Sequence, residues 1–138
     1  MKSYVIRDIK DIGAVLDYVH DRHFNIEEVS FDKTQQLLRI PLTVISSESE
    51  TAHRVLFLKV RVHPVLRAHL VIHKVTEYDL IDDAGVGRGD INTITVEDGT
   101  VSIKCGLPIV IKAKVLEFHI ELVITDEVMG KKKFIWWK

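Results

Sequence analysis

Strict alternation of apolar and polar residues is the feature that most limits what this chain can fold into. Four runs show it: Leu38 to Val44, Leu56 to Val62, Val101 to Cys105 and Leu116 to Ile124. Successive side chains of a β-strand point to opposite faces, so each run predicts a strand with one buried and one solvated face. Strands of this kind belong mostly to antiparallel sheets.

Residue usage supports the same fold class. The chain has 18 valines and 16 isoleucines against 5 alanines, and β-branched side chains fit a pleated surface better than a helix. Its 138 residues suit one domain, and no linker or repeat divides them. We predict a single domain over 1–138 that is mainly β (α+β by strict count). The expected architecture is an antiparallel β-sandwich or half-open barrel with one N-terminal helix.

That helix is expected directly after a short first strand at 4–7. Asp8 is a suitable N-cap, and an apolar stripe with helical spacing runs from Ile9 to Val19. The helix is predicted to end near His20, before a strand over 26–32.

Prolines and glycines predict where strands end. Pro41 has no amide donor, so the strand over 37–45 should lie at an edge or carry a bulge. Pro64 predicts a break between two strands. Asp98-Gly99 is a strong hairpin signal. The apolar phase of the run over 109–125 shifts near Val115, which predicts a β-bulge.

Charge and cysteine content exclude several classes of protein. Nineteen basic and twenty acidic side chains leave a net charge of -1, which disfavours nucleic acid as the partner. A single cysteine cannot form an internal disulfide, so we expect a reducing, cytoplasmic compartment. No apolar run approaches the roughly 20 residues of a membrane-spanning helix, and the first residues do not resemble a signal peptide. A membrane partner is therefore not expected.

A histidine-rich, basic stretch is the first candidate site. Between positions 51 and 76 there is no carboxylate, while five lysines or arginines and four histidines are present. Such a stretch suits an anionic ligand or an acidic partner, unless acids on neighbouring strands neutralise it. The ligand-binding candidates are Arg61, His63, Arg67, His69, His73 and His119. Their spacing matches no known metal motif, so neither a metal nor a cofactor is predicted.

Two further segments are candidates for partner contact. The stretch over 78–90 is rich in acids and glycines and is expected to be an irregular, solvated loop that could form the rim of a site. The C-terminus follows three lysines with Phe134, Trp136 and Trp137, which suit contact with another subunit or closure of the core.

A stretch near the N-terminus resembles known families. His20-Asp21, followed by the strand patterns at 26–32 and 38–42, is similar to the opening of several small bacterial β-rich families of unknown function, including toxin-immunity proteins. The resemblance covers about 25 residues. It implies a bacterial, non-enzymatic protein and supplies no catalytic residues.

Two functions remain open at this point. No nucleophile elbow or other catalytic spacing is present, which favours a non-catalytic interaction domain using a sheet face, the 78–90 loop or the C-terminal tail. A protein partner or self-association is then expected, rather than a small molecule. The alternative is an anionic-ligand-binding protein or enzyme whose His/Arg-lined pocket lies on the strands over 53–74.

Overall fold

In the part of the chain that the structure describes, the fold consists of two antiparallel sheets and one α-helix, and one sheet curves as a half-barrel. The structure is a computed structural model that describes residues 2–47, 50–55, 58–106 and 108–137; for 50–55, 58–59 and 133–137 it describes the backbone alone. The predicted mainly-β architecture with an N-terminal helix is confirmed.

The elements follow one another along the chain with short connections. The strands are β1 (Lys2–Ile6), β2 (His23–Asn25), β3 (Ser30–Asp32), β4 (Leu37–Ile45), β5 (Glu50–Val55), β6 (Leu58–Ile72), β7 (Val75–Asp82), β8 (Arg88–Glu97), β9 (Thr100–Cys105), β10 (Ile109–Val115) and β11 (Ile120–Trp137). Helix α1 is Gly13–Val19, and 3-10 turns lie at Ile9–Asp11 and Ile26–Glu28. The first sheet has the order β1-β11-β6-β4-β3, with β5 also paired to β6, and the second has the order β2-β8-β9-β10-β7.

The inner faces of both sheets and one side of α1 enclose a single apolar core. The alternating residues of β4 contribute the set that their spacing predicts, and Val15 and Val19 of α1 are fully buried against it. The largest fully buried side chains of the strands come from six strands of the two sheets: Leu38, Ile40, Leu70, Ile72, Ile91, Ile103, Ile109, Ile111, Ile120 and Leu122.

The N-terminal helix is shorter than the apolar stripe predicts. The Asp8 carboxylate accepts a hydrogen bond from the Lys10 amide at 3.1 Å, as an N-cap does. The turn that it caps is a 3-10 turn, and the α-helix begins only at Gly13. Val15 faces the core although the predicted stripe omitted it.

Two predicted boundaries match the structure. β4 spans Leu37–Ile45, as its alternation indicates. Asp98 and Gly99 join β8 to β9 with φ angles of 50° and 73°, the left-handed values that a tight two-residue hairpin turn requires.

Pro64 does not break its strand, contrary to expectation. β6 continues through it from Leu58 to Ile72. The partners of β6 on one side are β4, which ends opposite Val65, and β5, which begins opposite Val62. Pro64 lies at the gap between them, so its missing amide costs no ladder bond, and its carbonyl accepts from the Ser46 amide at 2.9 Å.

Two segments predicted as single strands are not continuous strands. The 26–32 segment forms a 3-10 turn and β3, while β2 lies before it in the other sheet. The run over 109–125 is β10 and the start of β11, which also belong to different sheets. A register shift between Lys114 and Val115 in the pairing with β7 lies where the bulge is predicted, and the chain then passes to the other sheet instead of continuing as one strand.

The 78–90 segment is also more regular than predicted. β7 extends to Asp82 and β8 begins at Arg88, so only 83–87 form a turn. The Asp82 carboxylate accepts from the amides of Val86 at 3.0 Å and Gly87 at 2.8 Å. These bonds shape the turn that delivers Arg88 to the end of β8.

Gly89→Ala should destabilise the protein strongly. A Cβ at this position would lie 2.8 Å from the Phe24 ring and 3.0 Å from the Cys105 sulfur. Overpacking of this kind costs about 1–3 kcal/mol. Urea unfolding should show the loss, whereas Gly13→Ala, with no atom within 4 Å of the added carbon, should leave stability unchanged or slightly raised. Equal midpoints for Gly89→Ala and the unmodified protein would contradict this packing.

Candidate cleft between the two sheets

A cleft opens where the end strand β2 of the second sheet runs beside β4 of the first. It encloses about 250 Å³. Its lining comes from β2 and the turn after it, from the middle of β4, from β6 and from the start of β8: His23, Phe24, Asn25, Glu28, Pro41, Leu42, Thr43, Arg67 and Arg88.

The cleft exists because part of β4 is an open edge. β3 pairs with β4 only as far as Arg39, so beyond that residue no described strand covers this side of β4. Pro41 lies directly past the last pair and has no amide to leave unsatisfied. The open edge of β4 that Pro41 indicates thus forms one wall of the cleft.

Arg22 takes the place that a neighbouring strand would have. Its Nε donates to the Thr43 carbonyl at 2.8 Å, and a terminal nitrogen donates to the Thr43 hydroxyl at 2.7 Å. The backbone of the same segment is bound to the second sheet, because the Asp21 amide donates to the Ile91 carbonyl and the Ile91 amide donates to the Arg22 carbonyl. Arg22 therefore joins the two sheets beside the cleft.

The opposite wall depends on a close approach of β2 to β8. Phe24 is only 2% exposed and lies against Gly89, its partner in the ladder. This contact brings Asn25 opposite Arg88. The Asn25 amide donates to the Glu28 carboxylate at 2.9 Å, and the Ile26 amide donates to the Gly87 carbonyl, which fixes the turn after β2.

Positive charge dominates the lining. Arg67 and Arg88 are cations, His23 supplies an imidazole, and Glu28 is the one carboxylate among the lining residues. Arg67 forms an ion pair with Glu127, in which Nε of Arg67 lies 3.4 Å from a carboxylate oxygen of Glu127. Within the described part of the chain, no residue forms an ion pair or hydrogen bond with the Arg88 guanidinium. Arg88 is therefore a guanidinium available to a ligand.

His69 lies next to Arg67 on the same face of β6, opposite Pro41 in the register. Burial, and after it the charges of Arg39 and Arg67, lower the pKa of His69, against an opposing effect of Glu127. Its Nδ1 is buried with no hydrogen-bond partner among the described atoms. His69 is thus a neutral side chain beside the cleft and adds no charge to it.

His73 and His119 form a separate cluster at the far end of β6. Their rings stack with centroids 4.0 Å apart, and His73 Nε2 lies 3.1 Å from a Glu121 carboxylate oxygen. Ser3 of β1 donates to the other oxygen of Glu121. Six residues of strand, about 20 Å, separate His73 from Arg67, so this cluster lies away from the cleft.

Arg61 and His63 lie on the other side of the cleft, on the N-terminal part of β6. His63 Nδ1 is 2.8 Å from the Ser46 carbonyl, which it can satisfy as a donor. In the register with β11, Arg61 is opposite Phe134. The backbone of Phe134, Trp136 and Trp137 continues β11 and is not a free tail, while their side chains lie outside the described part of the structure.

The six ligand-binding candidates therefore do not surround one pocket. Arg67 alone lines the cleft, His69 is its neighbour, and the others are spread along β6 and the start of β11. No group of three or more His, Cys, Asp or Glu side chains within the described residues is arranged to hold a metal ion. Burial, followed by the charge of Asp90, raises the pKa of the Cys105 thiol to about 11, so the thiol is protonated at neutral pH.

Sequence reasoning missed most of the residues that build the cleft. His23, Asn25 and Arg88 are brought together by the pairing of two segments more than 60 positions apart in sequence. The one local signal was Pro41, which indicated an open edge but not what faces it.

No protein-family model, curated protein sequence or solved structure matches this chain. Among the described residues, no helix has both the length and the apolar character needed to cross a membrane.

Stability should fall with acidification because of the histidine cluster. Burial, and then the charges of His73 and Arg7, lower the pKa of His119, against opposing effects of Glu121 and Glu117. A lowered folded-state pKa means that the unfolded chain binds the proton more tightly. Neutral His119 thus contributes its full stability to the folded protein above about pH 6.5, the ordinary histidine pKa. This stability is lost as the pH falls through the lower folded-state pKa of His119.

Urea unfolding between pH 7.5 and 5.5 should therefore show a smaller loss of stability for His119→Gln than for the unmodified protein. The remaining loss comes in part from His69, whose pKa is also lowered. Above pH 7.5 the two curves should run parallel. An identical loss in both proteins would contradict the effect ascribed to His119.

Proposed function

We propose that this protein is a non-catalytic binding domain that holds the carboxylate or phosphate group of a small ligand in the cleft between β2 and β4. The observation that carries the proposal is the position of Arg88, an unpaired guanidinium at the cleft, with Arg67 on the opposite wall. Both side chains come from rigid strands, which favours a pre-formed site.

Oxyanions match the hydrogen-bonding groups of this lining. A guanidinium presents donors in a fixed planar fork that fits the two oxygens of a carboxylate or phosphate. Arg67 has Glu127 near its Nε, and this carboxylate is 60% exposed. Solvent weakens such a surface pair, so an incoming anion can compete for Arg67. His23 and Asn25 supply further polar groups at the rim.

The size of the cleft limits the ligand. Sites for drug-sized ligands enclose about 300–1,000 Å³, and this cleft is slightly smaller. Glu28 at one end repels a second negative group and accepts a hydrogen bond from a hydroxyl or ammonium. A compact ligand with one oxyanion and a donor group at its other end fits this arrangement best.

Binding suits the lining better than catalysis does. The one hydroxyl among the lining residues, that of Thr43, already accepts a hydrogen bond from Arg22. Arg67 and Arg88 remain protonated at any physiological pH and cannot serve as general bases. His23 and Glu28 could accept a proton, but the described residues of the lining include no serine or cysteine for them to activate. The groups present can orient and neutralise an anion.

Thermal unfolding with inorganic phosphate and with acetate, each against sodium chloride at equal ionic strength, tests the site. A ligand at one hundred times its Kd stabilises the folded state by about 2.7 kcal/mol, which raises Tm by several degrees. We expect a specific, saturable rise with at least one of these anions. Arg88→Gln should abolish it, and Arg67→Gln should weaken it.

Lys112→Gln is the matched control, because it removes one positive charge from an exposed position on β10 that does not line the cleft. It should leave the rise intact. The proposal is wrong if neither anion stabilises the protein more than chloride does, or if Arg88→Gln retains the full effect.

A further inference from the structure

The C-terminal half of β11 has an open edge. β1 pairs with β11 only from Ile120 to Ile124, on the side away from β6. From Val128 to Trp137 the strand pairs with β6 alone, and no other described strand covers its outer side. This edge is ten residues, or about 33 Å, long.

An open edge presents unpaired amides and carbonyls to any extended chain that approaches it. We propose that this edge binds an extended acidic segment of a partner protein by strand addition. The surface is defined by residues 128–137 and is separate from the cleft, so it does not depend on the proposed anion site.

The positive charge of the edge indicates that the segment it binds is acidic. Lys131 and Lys132 are exposed, and as neighbours in a strand they point to opposite faces of the sheet. Lys133 extends the basic run to three residues. An added strand with carboxylates on either face would lie beside at least one of these ammonium groups, and opposite charges on neighbouring strands stabilise pairing.

The same lysines disfavour a second copy of this chain. Two identical edges that pair antiparallel about the middle of 128–137 would place one lysine run beside the other. Like charges directly opposite each other destabilise a strand pair, and edge lysines are a common barrier to self-association.

Apolar residues of the partner would find contacts at the start of the edge. The side chains of Val128 and Met129 are 57% and 43% exposed, although both are large and apolar. A segment that alternates acidic and apolar residues therefore matches this edge better than a uniformly acidic one.

The probe is a blocked octapeptide of alternating Val and Glu, titrated into the full chain at low salt. Trp136 and Trp137 are the only tryptophans of the sequence and lie on this strand, so their fluorescence reports binding there. We expect a saturable change with this peptide and none with its Val-Lys counterpart. The double variant K131E/K132E should lose about tenfold or more in affinity for the acidic peptide.

Two controls separate strand addition from simple charge attraction. K104E/K112E changes the net charge equally at exposed positions elsewhere and should bind the acidic peptide like the unmodified protein. Only alternate amides of an added strand face the edge. Because carboxylates on either face meet a lysine, a Val-Glu peptide N-methylated at one alternate set can turn its other set to the edge and should retain binding, whereas a peptide N-methylated at every amide should lose it.

The proposal is overturned if no acidic peptide binds, or if the peptide N-methylated at every amide binds like the parent. Sedimentation of the peptide-free protein tests whether a second copy of this chain binds the edge instead. A dimer that K131E/K132E disrupts would assign this edge to a second copy and reject the acidic segment.

Discussion

The open edge of β4 is the constraint on which the arrangement of the two sheets depends. A strand needs partners for its amides and carbonyls, and β3 supplies them only as far as Arg39. Beyond that point Pro41 removes one donor, and Arg22 satisfies the carbonyl and the hydroxyl of Thr43. Since the backbone around Arg22 is bound to Ile91 of β8, closing this edge also sets the distance between the sheets.

The turn that positions Arg22 gives a physical role to His20 and Asp21. Asp21 adopts a left-handed φ of 60°, which short polar residues tolerate better than others do. The His20 ring lies 3.3 Å from the Asn92 amide oxygen and 3.3 Å from the Asp21 carboxylate. These two residues reverse the chain between α1 and β2, and the role that the contacts support is structural.

Local pattern predicted the features of the fold that depend on local physics. The alternation in β4 and the two positive φ angles at Asp98-Gly99 follow from side-chain direction and turn geometry. The irregularity predicted near Val115 is present as a register shift, whereas the strand break at Pro64 and the single strand over 109–125 were wrong because both depend on partner strands. Pro64 lies at the gap between β4 and β5, and the chain changes sheet after Val115.

The cleft could not be predicted from the sequence because it too depends on which strands pair. Arg67 belongs to the basic stretch that the sequence shows, yet Arg88, the second arginine that lines the cleft, lies in a segment expected to be a loop. The pairing of β2 with β8 brings Arg88 to the cleft, and that pairing depends on Phe24 packing against Gly89. An isolated His-Phe-Asn segment carries no periodicity that predicts it.

Binding of an oxyanion between Arg67 and Arg88 can be tested by an NMR titration with phosphate and with acetate that follows the Nε–Hε signals of the arginine side chains. We expect saturable shifts for Arg67 and Arg88 with one common Kd, while Arg39, outside the cleft lining, does not follow that curve. Shifts that are absent, that do not saturate, or that affect the arginines equally would contradict binding at this site.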